Sequence, residues 1–310
     1  IYVEFSLGIL QVGHANICRN ISTYKKVDYS ARQAQLTQME YCIYDYKDST
    51  IKEEYSLLAD FKHALESDQT FLVFQPKINL KTNTLYGFEA LIRWNHPEKG
   101  IIYPNRFISL VEQTNLIHSL TEWVIKKTCE KLLFFEKNGL DLQISVNISA
   151  KNLYASHFYD QTIKLIQTYD IDLSSIEFEI TESVLMKDSE KAKQVLDKFH
   201  NKGINISIDD FGSGYSSLAY LNQFPVDIIK IDRFFMNQLR SSDALRHIVE
   251  ATISLSKKLG YQVLAEGIED EHALSILKDL GCDFGQGYYF AKPLNQEDVL
   301  PWIKNNLSID

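Results

Sequence analysis

The sequence predicts an α/β protein, a closed (β/α)8 barrel with a short N-terminal appendage. Three observations predict it. From about Phe71 onward, runs rich in Ile, Val and aromatic residues alternate with amphipathic helical segments. Each of four such helical segments closes on a glycine, the residue that suits the left-handed position ending a helix. About eight β-like runs fall within roughly 240 residues, which matches a closed barrel. An open doubly wound sheet is the runner-up, but its G-x-G-x-x-G phosphate loop after the first strand is missing.

Residues up to about Tyr55 do not join this rhythm. Tyr2–Leu10 reads as a strand, Ile21–Met39 as a polar helical stretch, and Tyr41–Tyr55 as a charged, tyrosine-rich linker entering a helix that holds Phe61 and Leu65. Beyond it, Ile125, Cys129, Leu132 and Leu133 form an apolar helical face before Gly139. Ala192, Val195, Leu196 and Phe199 do the same before Gly203, Ile248, Thr252, Leu255 and Leu259 before Gly260, and Ala273, Ile276, Leu277 and Leu280 before Gly281. The strand candidates are Leu142–Ile148, Ile176–Ile180, Ile204–Ile208, Asp227–Ile231, Tyr261–Leu264 and Phe284–Phe290.

Composition narrows the function classes. The chain has 310 residues, 45% apolar and 24% charged, and a formal net charge of −9. That charge argues against binding a DNA or RNA polymer, which needs a basic face. No apolar run approaches the roughly 18–20 residues of a membrane span. Ile1 opens the chain without a basic n-region, so no signal peptide and no membrane contact are expected here, although a longer parent could carry an upstream membrane or sensor domain. Cys18, Cys42, Cys129 and Cys282 lack C-x-x-C spacing and read as free thiols of a reducing cytoplasm.

In a parallel β/α barrel the active site lies at the C-terminal ends of the strands. Polar residues gather there in this sequence. Glu89 interrupts Leu85–Ile92, and Asn147 follows Ile144–Val146. Glu179 and Glu182 end one run, Asp209 and Asp210 another. Lys230 and Asp232 sit at Ile228–Ile231, Glu266 follows Val263–Ala265, and Gln286 lies in the last run. For any one of these acids, ion pairing or helix capping is a sufficient explanation. As a set, six carboxylates (Glu89, Glu179, Glu182, Asp209, Asp210, Glu266) face essentially Lys230 and Arg93, an imbalance that divalent metal would offset. Oxygen donors without Cys or His suit Mg²⁺ or Mn²⁺ rather than zinc. The eight histidines show no H-x-H or H-E-x-x-H spacing and read as surface or packing residues.

Glu89-Ala90-Leu91 with Arg93-Trp94 resembles the signature of the EAL-domain cyclic di-GMP phosphodiesterases. The family's other motifs follow in order: Phe74-Gln75-Pro76, Ser145-Val146-Asn147, Glu179-Ile180-Thr181-Glu182, Asp209-Asp210-Phe211-Gly212, Lys230-Ile231-Asp232, Ala265-Glu266-Gly267 and Gln286-Gly287-Tyr288. The resemblance covers about Tyr55 to Ile303. It implies a TIM-like (β/α)8 barrel, the EAL fold, over 55–310, and metal-dependent hydrolysis of cyclic di-GMP to linear pGpG with two Mg²⁺ or Mn²⁺ ions per site. It implies that Glu89, Asn147, Glu179 and Asp209 hold one ion, and that Asp209, bridging, and Asp210 hold the second, with Glu266 close by. Lys230 would contact the attacking water, and Arg93 a phosphate. Gln75, Leu91, Asp232 and Gln286 would join Arg93 in binding substrate, and Glu182 would anchor the loop Asp210–Ser217. Relatives of this kind commonly form homodimers. The alternative is a catalytically weak cyclic di-GMP receptor or interaction module, and such domains typically lack several of these ligands.

Three departures from the family pattern stand out: Ser213 for Thr, Asn115 for Gly, and Lys77 for an aliphatic residue, this last expected to snorkel outward. Residues 1–54 resemble, more weakly, the end of a GGDEF (diguanylate cyclase) domain plus a linker. Phe5-Ser6-Leu7-Gly8-Ile9 is similar to its late strand and Val27-Asp28-Tyr29-Ser30-Ala31 to its last helix, while the signature itself is absent.

Overall fold

The computed structural model describes residues 7–9, 27, 30, 31, 41–43, 49–212, 222–236, 238, 239 and 242–306. The chain divides into two compact units, Ile1–Asp60 and Phe61–Asp310. In the first, β1 (Leu7–Ile9) pairs in parallel with β2 (Tyr41–Ile43), Leu7 opposite Tyr41. Parallel neighbours need a crossover between them. Val27, Ser30 and Ala31 are helical, and the rest of Ile21–Met39 lies outside the described residues, as do Tyr2–Ser6 and Leu10. Within the expected linker Tyr41–Tyr55, Tyr41–Ile43 is the strand β2 and Ser49 opens α1 (Ser49–Glu66), while residues 44–48 lie outside the described residues. Tyr, Cys and Ile favour a pleated surface enough to pair where a partner strand exists.

The second unit is a closed barrel of eight strands. They are β3 (Thr70–Asn79), β4 (Leu85–His96), β6 (Gln143–Asn147), β7 (Ile176–Thr181), β8 (Asn205–Phe211), β9 (Ile228–Ile231), β10 (Gln262–Ala265) and β11 (Phe284–Gly285), and β3 pairs with both β4 and β11 to close the ring. A short β5 (Gly100–Ile102) extends β4 outside it. From β4 round to β11 every pairing is parallel, whereas β3 is antiparallel to both neighbours. The reversal departs from the regular (β/α)8 expectation and has a local cause. Asn79 Oδ1 accepts from Lys81 N (3.0 Å) and Thr82 N (3.2 Å), and Asn83 takes φ 58°. That tight turn can only join antiparallel strands.

Helices cross between the parallel strands, and their apolar faces meet the outer faces of the strands. Phe178 on β7 packs edge-on against Phe199, ring centroids 5.0 Å apart, and Trp94 on β4 packs against Phe61 at 5.2 Å and Phe107 at 5.6 Å. Gly139, Gly203, Gly260 and Gly281 all take positive φ after the helices they close, as expected. The last strand is shorter than expected. After Gly285 the chain leaves the sheet because Gln286 O accepts from Ile268 N (3.0 Å) and Tyr289 N donates to Ile268 O (2.9 Å). Only glycine fits at 287 in that embrace, since a Cβ there would lie 2.1 Å from Ile268 O. Among the described residues, no helix is long and apolar enough to cross a membrane.

Candidate active site

Alternation along β4 turns Glu89 inward and sends Phe88, Ala90, Ile92 and Trp94 to the helical layer. Glu89 is held from both sides: Asn147 Nδ2 at the end of β6 donates to Oε1 (2.9 Å), and Gln286 Nε2 donates to Oε2 (2.6 Å). The same Gln286 amide reaches Gln75 Oε1 on β3 (3.1 Å), and Gln75 Nε2 donates to Ala291 O (3.4 Å). These contacts join four separate stretches of chain around one carboxylate.

Lys230 on β9 is fully buried at the centre. Its Nζ lies 2.7 Å from Glu179 Oε2, 2.7 Å from Glu266 Oε1, 2.9 Å from Asp209 Oδ1 and 4.0 Å from Glu89 Oε2. Burial alone would lower its pKa, but the charges of Asp209, Glu179, Glu266 and Glu89 hold it well above the ordinary value. The acids pay the converse electrostatic cost. Burial, then the charge of Glu89, pushes Glu179 up to about 7 against the pull of Lys230 and Lys77. Burial pushes Glu266 up to about 8. Burial, then Asp209 and a hydrogen bond with Asp232, pushes Asp210 up to about 6.

Two consecutive aspartates reach one site because β8 is irregular there. Its register with β9 shifts between Ile208 and Phe211, and Asp210 adopts φ 55° while its N–H donates to Asp209 Oδ1 (3.0 Å). A bulge re-aims side chains that alternation would send to opposite faces. An aspartate tolerates this left-handed backbone better than most residues. As a result, carboxylate oxygens of Asp209, Asp210 and Glu266 lie within 4.8 Å of one another. Asp232 Oδ1 accepts from Phe234 N (2.6 Å) beside them.

A cleft of about 1160 Å³ opens over this group, and Leu91, Asn147, Glu179, Asp209 and Asp210 line it. Arg93, near the end of β4, is half-buried, its guanidinium 5.4 Å from the Tyr103 ring centre and Nη1 donating to Ile92 O (2.8 Å). Burial lowers its pKa, with Tyr103, Tyr288 and Glu89 opposing. Glu182 starts the helix after β7, and its buried Oε2 has no hydrogen-bond partner among the described residues. The loop it was expected to anchor runs, from Ser213, outside the described residues.

Lys77 does not snorkel outward: it is fully buried, with Nζ 2.8 Å from Glu177 Oε2 and 3.9 Å from Glu179 Oε1. Sequence reasoning overlooked Glu177 altogether. The signal was present, since Lys77 lies two residues from Gln75 and Glu177 two from Glu179, and period-2 alternation puts each on its neighbour's face. The charge count changes accordingly. Glu89, Glu177, Glu179, Asp209 and Glu266 share two ammonium groups, those of Lys77 and Lys230, within 4.0 Å.

Residues 58–293 match the EAL domain family. The chain is 38% identical over 258 residues to the cyclic di-GMP phosphodiesterase PA2567 of Pseudomonas aeruginosa, covering 83% of this chain and 44% of that protein. It is 33% identical over 313 residues to the cyclic di-GMP phosphodiesterase PdeR of Escherichia coli, covering 99% of this chain and 46% of that protein. The chain thus spans less than half the length of these curated relatives. Among solved structures, one described as PaMucR phosphodiesterase in a c-di-GMP complex superposes with TM-score 0.76 at 36% identity, covering 79% of this chain and 99% of that one. An EAL domain protein from Listeria monocytogenes superposes with TM-score 0.71 at 29% identity, covering 80% and 98%.

Proposed function

The chain belongs to the EAL domain family, and on that premise we propose that it hydrolyses cyclic di-GMP to linear pGpG with the help of divalent metal ions. The observation that carries this reading is the gathering of Asp209, Asp210 and Glu266 within 4.8 Å of one another beside the Lys230 cluster. A ligand with two anionic phosphodiesters would be repelled by so many carboxylates unless cations came with it. The donor set fits such cations. All the donors are oxygens, and Glu179 Oε1 and Gln286 Oε1 are buried without hydrogen-bond partners among the described residues.

Glu89, Asn147, Glu179, Asp209 and Asp210 would hold two ions, Mg²⁺ or Mn²⁺, with Glu266 beside them. When bound, such ions lower the pKa of an attacking water and neutralise charge on the phosphoryl oxygens. Lys230, with Asp209 Oδ1 (2.9 Å) turned to an ion, would donate the hydrogen bond so released to the water's oxygen and keep its other two hydrogen bonds to Glu179 and Glu266. Arg93 holds a phosphate with its planar fork. Gln75 and Gln286 keep Glu89 in place, and Leu91 and Asp232 line the substrate's path. The water oxygen bonds to phosphorus as the bond to a ribose 3′ oxygen breaks, and a proton from the water ends on that oxygen as the 3′ hydroxyl, leaving a 5′-phosphate on the linear dinucleotide.

The wider assignments belong to the same proposal. Residues 55–310 are proposed as the catalytic module and residues 1–54 as a GGDEF-like remnant with its linker. A nucleotide substrate and the buried free thiols Cys129 and Cys282 fit the cytoplasm, and the module is proposed to act as a homodimer. The test is incubation of the purified chain with cyclic di-GMP and Mg²⁺ or Mn²⁺ against an EDTA control, with nucleotides separated by ion-pair chromatography. Metal-dependent pGpG is expected. Cyclic di-GMP that binds but stays intact would replace the enzyme by a receptor.

A further inference from the structure

Below the Lys230 cluster, deeper in the barrel, lies an ion pair that the reaction above does not use. Lys77 and Glu177 are fully buried and 2.8 Å apart. The Lys77 ammonium is also 3.9 Å from Glu179 Oε1, while Glu179 Oε2 is taken by Lys230 at 2.7 Å. Glu179 therefore bridges two lysines, one from the site and one from beneath it. The lower lysine has little freedom, since its stem is enclosed by the barrel and its ammonium lies 5.5 Å from the Tyr86 ring centre.

The surroundings are polar on the same inner face. Ser145 pairs with Glu177 across β6 and β7, and Ser207 pairs with Glu179 across β7 and β8. Ser145 Oγ, Ser207 Oγ and Glu177 Oε1 are all buried without a hydrogen-bond partner among the described residues. Such groups in a polar interior take ordered water.

We propose that Lys77, anchored by Glu177, is a positioning residue that fixes the Glu179 carboxylate from below and so sets how tightly the site above holds a divalent cation. The inference rests on the function proposed above. It is distinct from charge balance alone. An ion pair that serves only to balance itself can be replaced by uncharged side chains of similar volume at little cost, and often with a gain in stability. A pair that orients a ligand of the ion loses affinity when replaced, by about 10–100-fold.

The double variant Lys77→Met with Glu177→Gln separates the two, because it leaves no buried charge unpaired. Lys77→Met alone, which strands Glu177, serves as the folding control. Three quantities are measured on each chain: the metal-free melting temperature, the Kd for Mn²⁺ by calorimetric titration, and kcat and KM for cyclic di-GMP. The double variant is expected to melt close to the wild type, to bind Mn²⁺ about 10–100-fold more weakly, and to lose kcat to a similar extent with KM little changed. A double variant that matches the wild type in Mn²⁺ affinity and kcat would overturn the role of Lys77. A wild-type chain that binds Mn²⁺ but makes no pGpG would overturn the enzymatic reading and leave the Mn²⁺ comparison to judge Lys77. A wild-type chain that binds no Mn²⁺ would overturn both.

Discussion

Gln286 donates to Glu89 across 2.6 Å although the two residues are 197 positions apart in the chain. The glutamine has a second contact, to Gln75 at 3.1 Å, so it locks one oxygen of Glu89 while Asn147 locks the other. Gln286→Leu is expected to lower kcat by about tenfold or more by freeing Glu89, without unfolding the barrel. Glu89→Ala and Asp209→Ala are expected to abolish hydrolysis. Turnover near the wild-type value with Mg²⁺ in either alanine variant would show that the carboxylates are not the ion's ligands.

Lys230→Met removes the ammonium that four carboxylates approach within 4.0 Å. Unpaired buried charge of this kind costs about 3–5 kcal/mol. The variant is expected to be inactive and to melt lower than the wild type in EDTA, and added Mn²⁺ is expected to recover more of its melting temperature than it adds to the wild type. An unchanged metal-free melting curve would contradict the electrostatic account of the cluster.

Gly287→Ala tests the turn that delivers Gln286. The new methyl would meet Ile268 O at 2.1 Å and Ile268 N at 2.3 Å, both backbone atoms that cannot step aside. A loss of about 3 kcal/mol is expected from overpacking, together with a fall in activity as Gln286 shifts. Chemical denaturation measures the first and pGpG formation the second.

Lys131 provides a pH dependence remote from the site. It is buried, donates to Gln296 O (3.1 Å) and lies 4.5 Å from the Phe134 ring centre and 4.8 Å from that of Phe135. Burial lowers its pKa to about 8 from the ordinary 10.5, with Glu297 opposing. Between those values the unfolded chain binds a proton that the folded chain does not, so folding becomes more favourable as pH rises. The cost is fully present below pH 8 and relieved toward 10.5. Lys131→Met, which keeps the stem and drops the charge, is expected to raise the melting temperature by about 2–4 °C at pH 7. The gain should shrink toward zero above pH 10. A gain that does not change with pH would point to packing instead.

Glu182→Ala is expected to reduce kcat and leave Mn²⁺ affinity unchanged, as a loop-anchoring role requires. Unchanged kinetics would remove that role.

The alternation of strand and helix was legible because burial imposes two distinct periods, and the helix-closing glycines because positive φ is costly for other residues. The acids at the strand ends were legible for a similar reason: Glu89 and Glu179 stand out in apolar runs. Other features were hidden. Alternation puts Lys77 and Glu177 on the inner face with Gln75 and Glu179, but their pairing across 100 positions has no local signal. The bulge at Asp209–Asp210 is set by pairing with β9, so the sequence signals the aspartates but not the backbone that turns both inward. The reversal of β3 was written in the short Leu80–Thr84 turn, yet the parallel rhythm that follows outweighed it.

The reversed strand also governs how the barrel is wired to whatever precedes it. In a barrel whose strands all point one way, the chain enters at the floor, opposite the reacting groups. Here β3 runs downward, so the chain enters at Thr70, opposite Trp94, beyond the level where Gln75 faces Glu89. From Thr70 to Gln75 is about 17 Å of extended strand. The chain therefore joins the barrel at the level of its mouth, on the strand that pairs with the one carrying Glu89.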